Sequence, residues 1–262
     1  MYKIENSYSI NGKDYDGLRT ISANKINELP SGKLLVYSDD FDSNNYYIDT
    51  EFKLNDGVII NQSTLDSNRA IRIYKDWPEA WHYEKKDAEL VYKLQQKQKH
   101  VKLTDFPTGI VTISDFPFEY NKKNIQRVVG QEIIYYENYI AIGKLFQINH
   151  NINTAKIYID IIKILKELLD NGIYYGDIHG GNFVIEKEKQ IVKLIDFEDN
   201  KVKIDNIGIN EIKTTFEVLK RLIIGLDVYS KDSLSSNIAK TNNLDELDEC
   251  LNEINQKKKK LN

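Results

Sequence analysis

Cysteine and long apolar runs are scarce in this 262-residue chain, and each shortage excludes a class of structure. Cys250 is the only cysteine, so no disulfide can form within the chain. Nowhere do 18 apolar residues follow one another, and the first residues contain no apolar stretch of signal-peptide length. We therefore expect a cytoplasmic protein that makes no use of a membrane.

A strong net charge is also absent. The formal charge of −4 argues against broad nucleic-acid binding, since no basic field covers the chain. Residues 257–260, all lysine, are a local exception that we interpret as a solvated tail. A hydrophobic fraction of 41% and a charged fraction of 29% are ordinary for a globular protein, and the length allows one large domain or two small ones.

Hydrophobic periodicity divides the chain into a strand-rich first half and a helix-rich second half. Short apolar or alternating runs predict strands, and longer runs with three-to-four spacing predict helices. The predicted strands are residues 33–37, 46–54, 58–61, 70–75, 109–113 and 127–136, and the predicted helices are 79–98, 154–171, 211–224 and 245–256. This segregation predicts an α+β fold with two lobes, residues 1–134 and 135–262, in which residues 1–30 form either part of the first lobe or a separate arm.

The most informative segment is Tyr-Gly-Asp-Ile-His-Gly-Gly-Asn at residues 175–182. Asp177 and Asn182 are five positions apart, and Asp196 follows fourteen positions later, after a predicted hairpin. Each residue alone is typical of an ordinary turn. Together they form the set that phosphoryl transfer needs: a carboxylate to orient a hydroxyl, and hard oxygen ligands for magnesium. His179 could donate to the phosphoryl oxygens, where negative charge develops.

With Leu-Ile-Asp-Phe-Glu at residues 194–198, this segment resembles the catalytic and metal-binding loops of the protein-kinase-like superfamily. It is nearer to the aminoglycoside and choline phosphotransferases and to small atypical kinases of the Rio type than to typical protein kinases. The resemblance implies ATP and magnesium as cofactors, with Asp177 as the catalytic residue and Asn182 and Asp196 as metal ligands. His179 stands where many protein kinases carry a phosphate-contacting lysine.

The resemblance also implies nucleotide-binding residues in the first half. The strand at 70–75 resembles the one that normally carries a nucleotide-contacting lysine, and here Arg72 takes that place unless Lys75 serves through a register shift. An arginine makes forked contacts, so its phosphate geometry differs from that of lysine. Glu84 is the first choice for the helix carboxylate that pairs with this residue, and Glu89 is the alternative.

Three features depart from the family pattern. The first half contains no Gly-x-Gly-x-x-Gly phosphate loop. Tyr175-Gly176 replaces the usual His-Arg, and Glu198 replaces the glycine that follows Asp-Phe. About 14 residues separate Asp196 from the next predicted helix, which argues against switching by an activation loop.

These observations predict an ATP- and magnesium-dependent phosphotransferase that acts on a hydroxyl group. The compact second half favours an atypical protein Ser/Thr kinase, and a small-molecule phosphotransferase of the aminoglycoside or choline type is the alternative. Arg72 and the missing glycine loop motivate a further alternative, a pseudokinase that binds nucleotide as a module. The expected partners are a nucleotide and either a protein or a small hydroxylated acceptor.

Overall fold

The computed structural model describes twelve stretches of the chain, and all structural statements below refer to them. They are residues 3–10, 12–23, 25–28, 34–37, 58–62, 68–74, 84–113, 127–136, 138–148, 153–186, 189–227 and 234–259. Helices and mixed sheets both occur, so the fold class is α+β. None of the helices in these stretches is both long and apolar enough to cross a membrane.

The chain forms two compact units. The first comprises Met1–Lys99 and Phe106–Tyr136, and the second comprises His100–Asp105 and Glu137–Asn262. The division along the chain thus falls after Tyr136, close to the sequence-based boundary at residue 134. The short segment His100–Asp105 belongs to the second unit, which no pattern in the sequence indicated.

The first unit is built on a six-stranded sheet. Its elements are β1 (Lys3–Ile10), β2 (Lys13–Ala23), β3 (Lys25–Glu28), β4 (Leu34–Tyr37), β5 (Val58–Gln62), β6 (Arg69–Tyr74), α1 (Glu84–Gln98), β7 (Gly109–Ile113) and β8 (Arg127–Ile134). The strand order is β1-β2-β7-β8-β6-β5, and β3 and β4 form a separate hairpin. The pair β2–β7 is parallel and the other neighbours are antiparallel. Strands β1 and β2 are therefore part of this sheet.

Helix α1 covers the sheet of the first unit. Its interior lacks glycine and proline, and its apolar residues recur at three-to-four spacing, which gives the helix one apolar face. Ala88 and Val91 on that face are fully buried in a cluster with Ile110 of β7, Val128 of β8 and Leu18 of β2. This packing fixes which side of the sheet lies under the helix.

The second unit contains most of the helices and three short strand pairings. Its elements are β9 (Tyr139–Ala141), α2 (Ile142–Ile148), α3 (Thr154–Asp170), β10 (Ile173–Tyr175), β11 (Phe183–Glu186), β12 (Val192–Leu194), β13 (Val202–Ile204), α4 (Ile209–Asp227), α5 (Ser235–Ile238) and α6 (Leu244–Lys259). Strands β12, β11 and β9 form one antiparallel sheet, and β10 and β13 form another.

Helix α3 is the central element of the second unit. The side chain of Asn153 caps its start by accepting a hydrogen bond from the Lys156 backbone N–H at 3.1 Å, and Gly172 follows its end with a φ of 71°. The predicted apolar stripe is confirmed, because Ile157, Ile161 and Leu165 are all buried. Such a helix gives the short strands around it a rigid support.

The predicted elements that fall within the described residues are confirmed, and several further elements were not predicted. The patterns correctly located strands β4 to β8, helices α1, α3, α4 and α6, and the hairpin β11–β12. The predicted strand at 46–54 lies outside the described residues. The elements that were not predicted are strands β1, β2, β3, β9, β10 and β13 and helices α2 and α5. Apart from β1 and β2, these elements have only three to seven residues, which carry too little periodicity.

Candidate active site

Strand pairing brings the two ends of the predicted motif together. In the hairpin β11–β12, Phe183 lies opposite Leu194. The residues just outside this pair are therefore neighbours, and the Ile195 N–H donates to the Asn182 carbonyl at 2.9 Å. Asn182 and Asp196, fourteen positions apart in the chain, thus lie at the same end of one hairpin.

The side chain of Asn182 is fixed by Asp177. Its Nδ2 group donates to the Asp177 backbone carbonyl at 3.0 Å and to the Asp177 Oδ2 atom at 2.9 Å. Asn182 is 5% exposed. Because its nitrogen is used in this way, the amide oxygen is the atom that Asn182 can offer to a cation.

Lys201 joins the carboxylates of the site. Its ammonium nitrogen lies 3.0 Å from Asp177 Oδ2, 2.7 Å from Asp196 Oδ2 and 2.9 Å from Glu198 Oε2. Asp177 and Asp196 are therefore close together, on two sides of one positive charge. Sequence reasoning missed Lys201, since its place depends on the pairing of β10 with β13, where Tyr175 lies opposite Val202.

These contacts keep Lys201 and Asp177 ionised at neutral pH. Burial alone would lower the pKa of Lys201, but hydrogen bonds to Asp196 and Glu198 outweigh it and raise the pKa well above its ordinary value. Burial alone would likewise raise the pKa of Asp177. The hydrogen bond and charge of Lys201, together with the Asn182 hydrogen bond, instead lower it below its ordinary value.

Asp196 has a backbone conformation that non-glycine residues rarely adopt. Its φ is 72°, in the left-handed region, where such a residue costs about 1–3 kcal/mol and is held by its surroundings. The Tyr175 hydroxyl donates to the Ile195 carbonyl at 3.0 Å and to the Asp196 carbonyl at 3.3 Å. The ring of Tyr175 also packs edge-on against buried Phe197, with centroids 5.4 Å apart. Tyr175 therefore anchors the turn that carries Asp196.

His179 lies beside Asp177 at the exposed edge of the site. Its side chain is 53% exposed, and Nε2 is 3.5 Å from Asp177 Oδ2. Nδ1 accepts a hydrogen bond from the Gly181 backbone N–H at 3.1 Å, so the proton of a neutral ring is on Nε2. A Cβ at Gly181 would lie 2.9 Å from His179 Cε1, so a side chain there would displace the exposed imidazole from this position.

The loop that carries these residues is tied to helix α2. The Gly143 N–H donates to the Gly180 carbonyl at 3.1 Å. A Cβ at Gly180 would lie 3.2 Å from Gly143 Cα, tighter than ordinary van der Waals contact. Gly180 therefore allows the loop to approach the backbone of α2 closely.

Asp196 and Asn182 are the residues of this site whose oxygens could hold a magnesium ion. Within the described stretches, no group of three or more His, Cys, Asp or Glu side chains is arranged to hold a metal. Magnesium takes one or two carboxylates and completes its shell with water and substrate phosphate. Asp196 and the amide oxygen of Asn182 fit that limited requirement.

The predicted nucleotide-binding residues belong to the first unit. Arg72 is 5% exposed and lies opposite Gln131 in the sheet, and Gln131 lies opposite Ile110. Directly opposite residues share a face of a sheet, so Arg72 is on the side that α1 covers. Lys75 lies outside the described residues.

Helix α1 carries a buried carboxylate that the sequence analysis did not select. Asp87, next to buried Ala88, is 4% exposed. The alternative candidate Glu89 is half-buried and pairs with Lys93 at 2.9 Å and Lys13 at 3.5 Å, as a surface charge does. The side chain of Glu84, the first choice, lies outside the described residues. Asp87 is therefore the helix carboxylate whose burial matches that of Arg72.

Comparison with known proteins adds no family assignment. None of the family models matches the chain, and a search of curated proteins finds no match either. The functional argument therefore depends on the residues and geometry of the site.

Proposed function

We propose that the chain is an ATP- and magnesium-dependent phosphotransferase with a hydroxyl group as acceptor, in a bilobal protein-kinase-like fold. The convergence of Asp177, Asn182 and Asp196 at one end of the hairpin β11–β12 supports this proposal. A strand-rich first unit and a helix-rich second unit are consistent with that fold.

Each residue of the cluster has a role that its contacts support. Asp177 orients the attacking hydroxyl. Its lowered pKa makes it a weak base, which suits a loose transition state that requires positioning more than proton removal. His179 presents its Nε2–H beside Asp177, where it can donate to the transferred phosphoryl group.

Asp196 and the amide oxygen of Asn182 would hold the magnesium ion. The ion supplies charge neutralisation for the triphosphate. In the first unit, Arg72 would contact the nucleotide phosphates, and Asp87, which is buried to a similar degree, is the helix carboxylate that we propose as its partner. Asp87 is therefore a candidate beside Glu84, the first choice from the sequence, and is preferred to Glu89, which pairs with surface lysines.

The acceptor that we favour is a protein Ser/Thr hydroxyl. About 38 residues connect Tyr136 to Tyr175, and those that the structure describes form β9, α2 and α3. Small-molecule phosphotransferases of the aminoglycoside or choline type need additional helices to form an acceptor pocket. A panel of protein and aminoalcohol acceptors, compared for label uptake, distinguishes the two.

The test is transfer of labelled phosphate from ATP in the presence of magnesium. We expect Asp177→Ala and Asp196→Ala each to lower transfer by about 10²-fold or more, because each removes a group that positions the reactants. Asp160→Ala is the matched control, since this carboxylate is on α3 and pairs with Lys163 at 3.6 Å. Equal transfer by the wild type and both site variants would contradict the proposal.

One observation favours a second candidate, a pseudokinase that binds nucleotide without transfer. Lys201 already neutralises part of the carboxylate charge that magnesium would meet. A rise in melting temperature with ATP and magnesium, without any label transfer in the wild type, would identify this binding module.

A further inference from the structure

The ammonium group of Lys201 has three N–H donors, and three carboxylates lie around it. Asp196, Glu198 and Asp177 each have an oxygen within 3.0 Å of the nitrogen. A lysine has no fourth donor. Its hydrogen-bonding capacity is therefore used by the protein itself, which leaves no N–H for a substrate phosphate.

The backbone holds Lys201 in this position. The Gly176 N–H donates to the Lys201 carbonyl at 2.7 Å, and the Lys201 N–H donates to the Glu198 carbonyl at 3.0 Å. Gly176 precedes Asp177 directly, so the lysine is tied at its backbone to the loop that its side chain neutralises. A Cβ at Gly176 would lie 3.3 Å from the Lys201 carbonyl oxygen, which shows how close this approach is. Such anchoring is typical of a permanent component of a site.

The turn that contains Lys201 is also where the sequence departs from the protein-kinase pattern. Glu198 stands in place of the glycine that follows Asp-Phe, and it pairs with Lys201 three positions later. The turn therefore contributes one negative side chain, Glu198, and one positive side chain, Lys201, to the site. The three carboxylates and the ammonium leave a net charge of −2, which a single divalent cation balances.

We propose that Lys201 is a built-in cation that replaces one of the two magnesium ions that protein kinases use, so that this chain binds nucleotide with one divalent ion. This inference depends on the proposed function. Asp196 and the amide oxygen of Asn182 would hold this single metal ion, since magnesium needs only one or two protein ligands beside phosphate and water.

The test counts the manganese ions that bind with a non-hydrolysable ATP analogue. Full-length protein is held in excess over the analogue, and free Mn²⁺ is followed by its electron paramagnetic resonance signal, which bound ions lose. We expect one Mn²⁺ per bound analogue in the wild type. In Lys201→Met, which leaves the carboxylates uncompensated, we expect a second Mn²⁺ to bind at least tenfold more tightly than in the wild type.

Lys203→Met is the matched control. Lys203 is two positions further along, exposed, and pairs with Glu211 away from the cluster. This variant should bind one Mn²⁺ like the wild type, which would show that loss of a positive charge nearby is not sufficient.

The outcomes separate this inference from the proposed function. Two equally tight Mn²⁺ ions in the wild type would overturn the inference and leave the phosphotransferase proposal intact, whether or not the variant folds. One ion in Lys201→Met would also overturn it. If the analogue binds to none of the three proteins, the proposed function itself is overturned.

Discussion

At the scale of single residues, Glu132 shows how the first unit accommodates a buried charge. Its side chain is 3% exposed, and its carboxylate accepts hydrogen bonds from Arg69 Nη1 at 2.6 Å, Arg19 Nε at 2.7 Å and Thr108 Oγ1 at 2.7 Å. Glu132 is on β8, one of the two central strands, so these contacts connect it to β2, to β6 and to Thr108, the residue just before β7. A charge in such a place is tolerated because it is fully paired.

We predict that Glu132→Gln lowers the free energy of unfolding by about 2–4 kcal/mol. The variant leaves two guanidinium groups without their counter-charge, and their partial exposure keeps the loss below that of a fully buried pair. Urea denaturation measures the change. Glu89→Gln is the control and should lose no more than about 0.5 kcal/mol, because its partners are surface lysines. Similar losses in the two variants would contradict this view of Glu132.

Asp196 and Lys201 illustrate a second feature of the residue scale, that chemistry depends on neighbours. Asp196 is the aspartate that the motif indicates, but its left-handed backbone and its partner Lys201 come from the surrounding fold. The count of manganese ions described above tests what this partner does. The motif residues alone predict the same phosphotransfer chemistry whether or not Lys201 lies beside Asp196.

At the scale of elements, α4 contains a glycine that packing does not require. Gly225 is exposed, and a Cβ there would meet no atom within 4 Å. Its φ is not positive, in contrast with Gly172 after α3, where φ is 71°. A glycine inside a helix is destabilising relative to alanine, whereas a glycine in the left-handed conformation is stabilising.

The two glycines therefore predict changes of opposite sign. Gly225→Ala should raise the free energy of unfolding by about 0.5–1 kcal/mol, because alanine loses less conformational entropy when the helix forms. Gly172→Ala should lower it by about 1 kcal/mol, because alanine disfavours the left-handed backbone. Thermal unfolding of both variants measures the difference. A lower melting temperature in Gly225→Ala than in the wild type would show that α4 is not continuous there.

At the scale of the whole molecule, ion pairs in both units set the response to acid. A hydrogen bond from Lys93 lowers the pKa of Glu89, and one from Lys203 lowers that of Glu211. For Asp177, burial opposes the effect, but Lys201 still lowers the pKa. Each of these carboxylates therefore binds its proton more weakly in the folded chain than in the unfolded one.

We predict that stability is nearly constant from pH 7 to pH 5 and falls below about pH 4, near the ordinary carboxylate pKa. A lowered pKa gives stabilisation that is present above the unfolded value and lost as the pH falls through the folded value. The raised pKa of Lys201 contributes no change in this range, since its stabilisation persists until strongly alkaline pH. Urea midpoints measured at intervals between pH 7 and pH 3 test the sign, and a midpoint that increases below pH 4 would contradict it.

Much of the fold and part of the site could be predicted because their signals are local. The stripe of α3 lies within 17 residues, and Asp177, Asn182 and Asp196 lie within 20 on a single loop and hairpin. Asp87 and Lys201 could not be predicted, because a charged residue is exposed by default and only packing or strand pairing shows otherwise. Strands β1 and β2 were missed although they form a local hairpin in which Ile10 lies opposite Lys13, and the Asn-Gly pair at residues 11–12 of the sequence is a signal that could have indicated it.

The sequence by itself determined the α+β class, the order of the longer elements and the identity of three polar residues at one loop and hairpin, because periodicity and short spacing act between near neighbours. Only the tertiary structure decided which charges are buried and what surrounds them. Arg19 meets Glu132 across 113 positions, and Lys201 reaches Asp177 through the pairing of β10 with β13. Such contacts depend on distances in space that spacing along the chain does not specify.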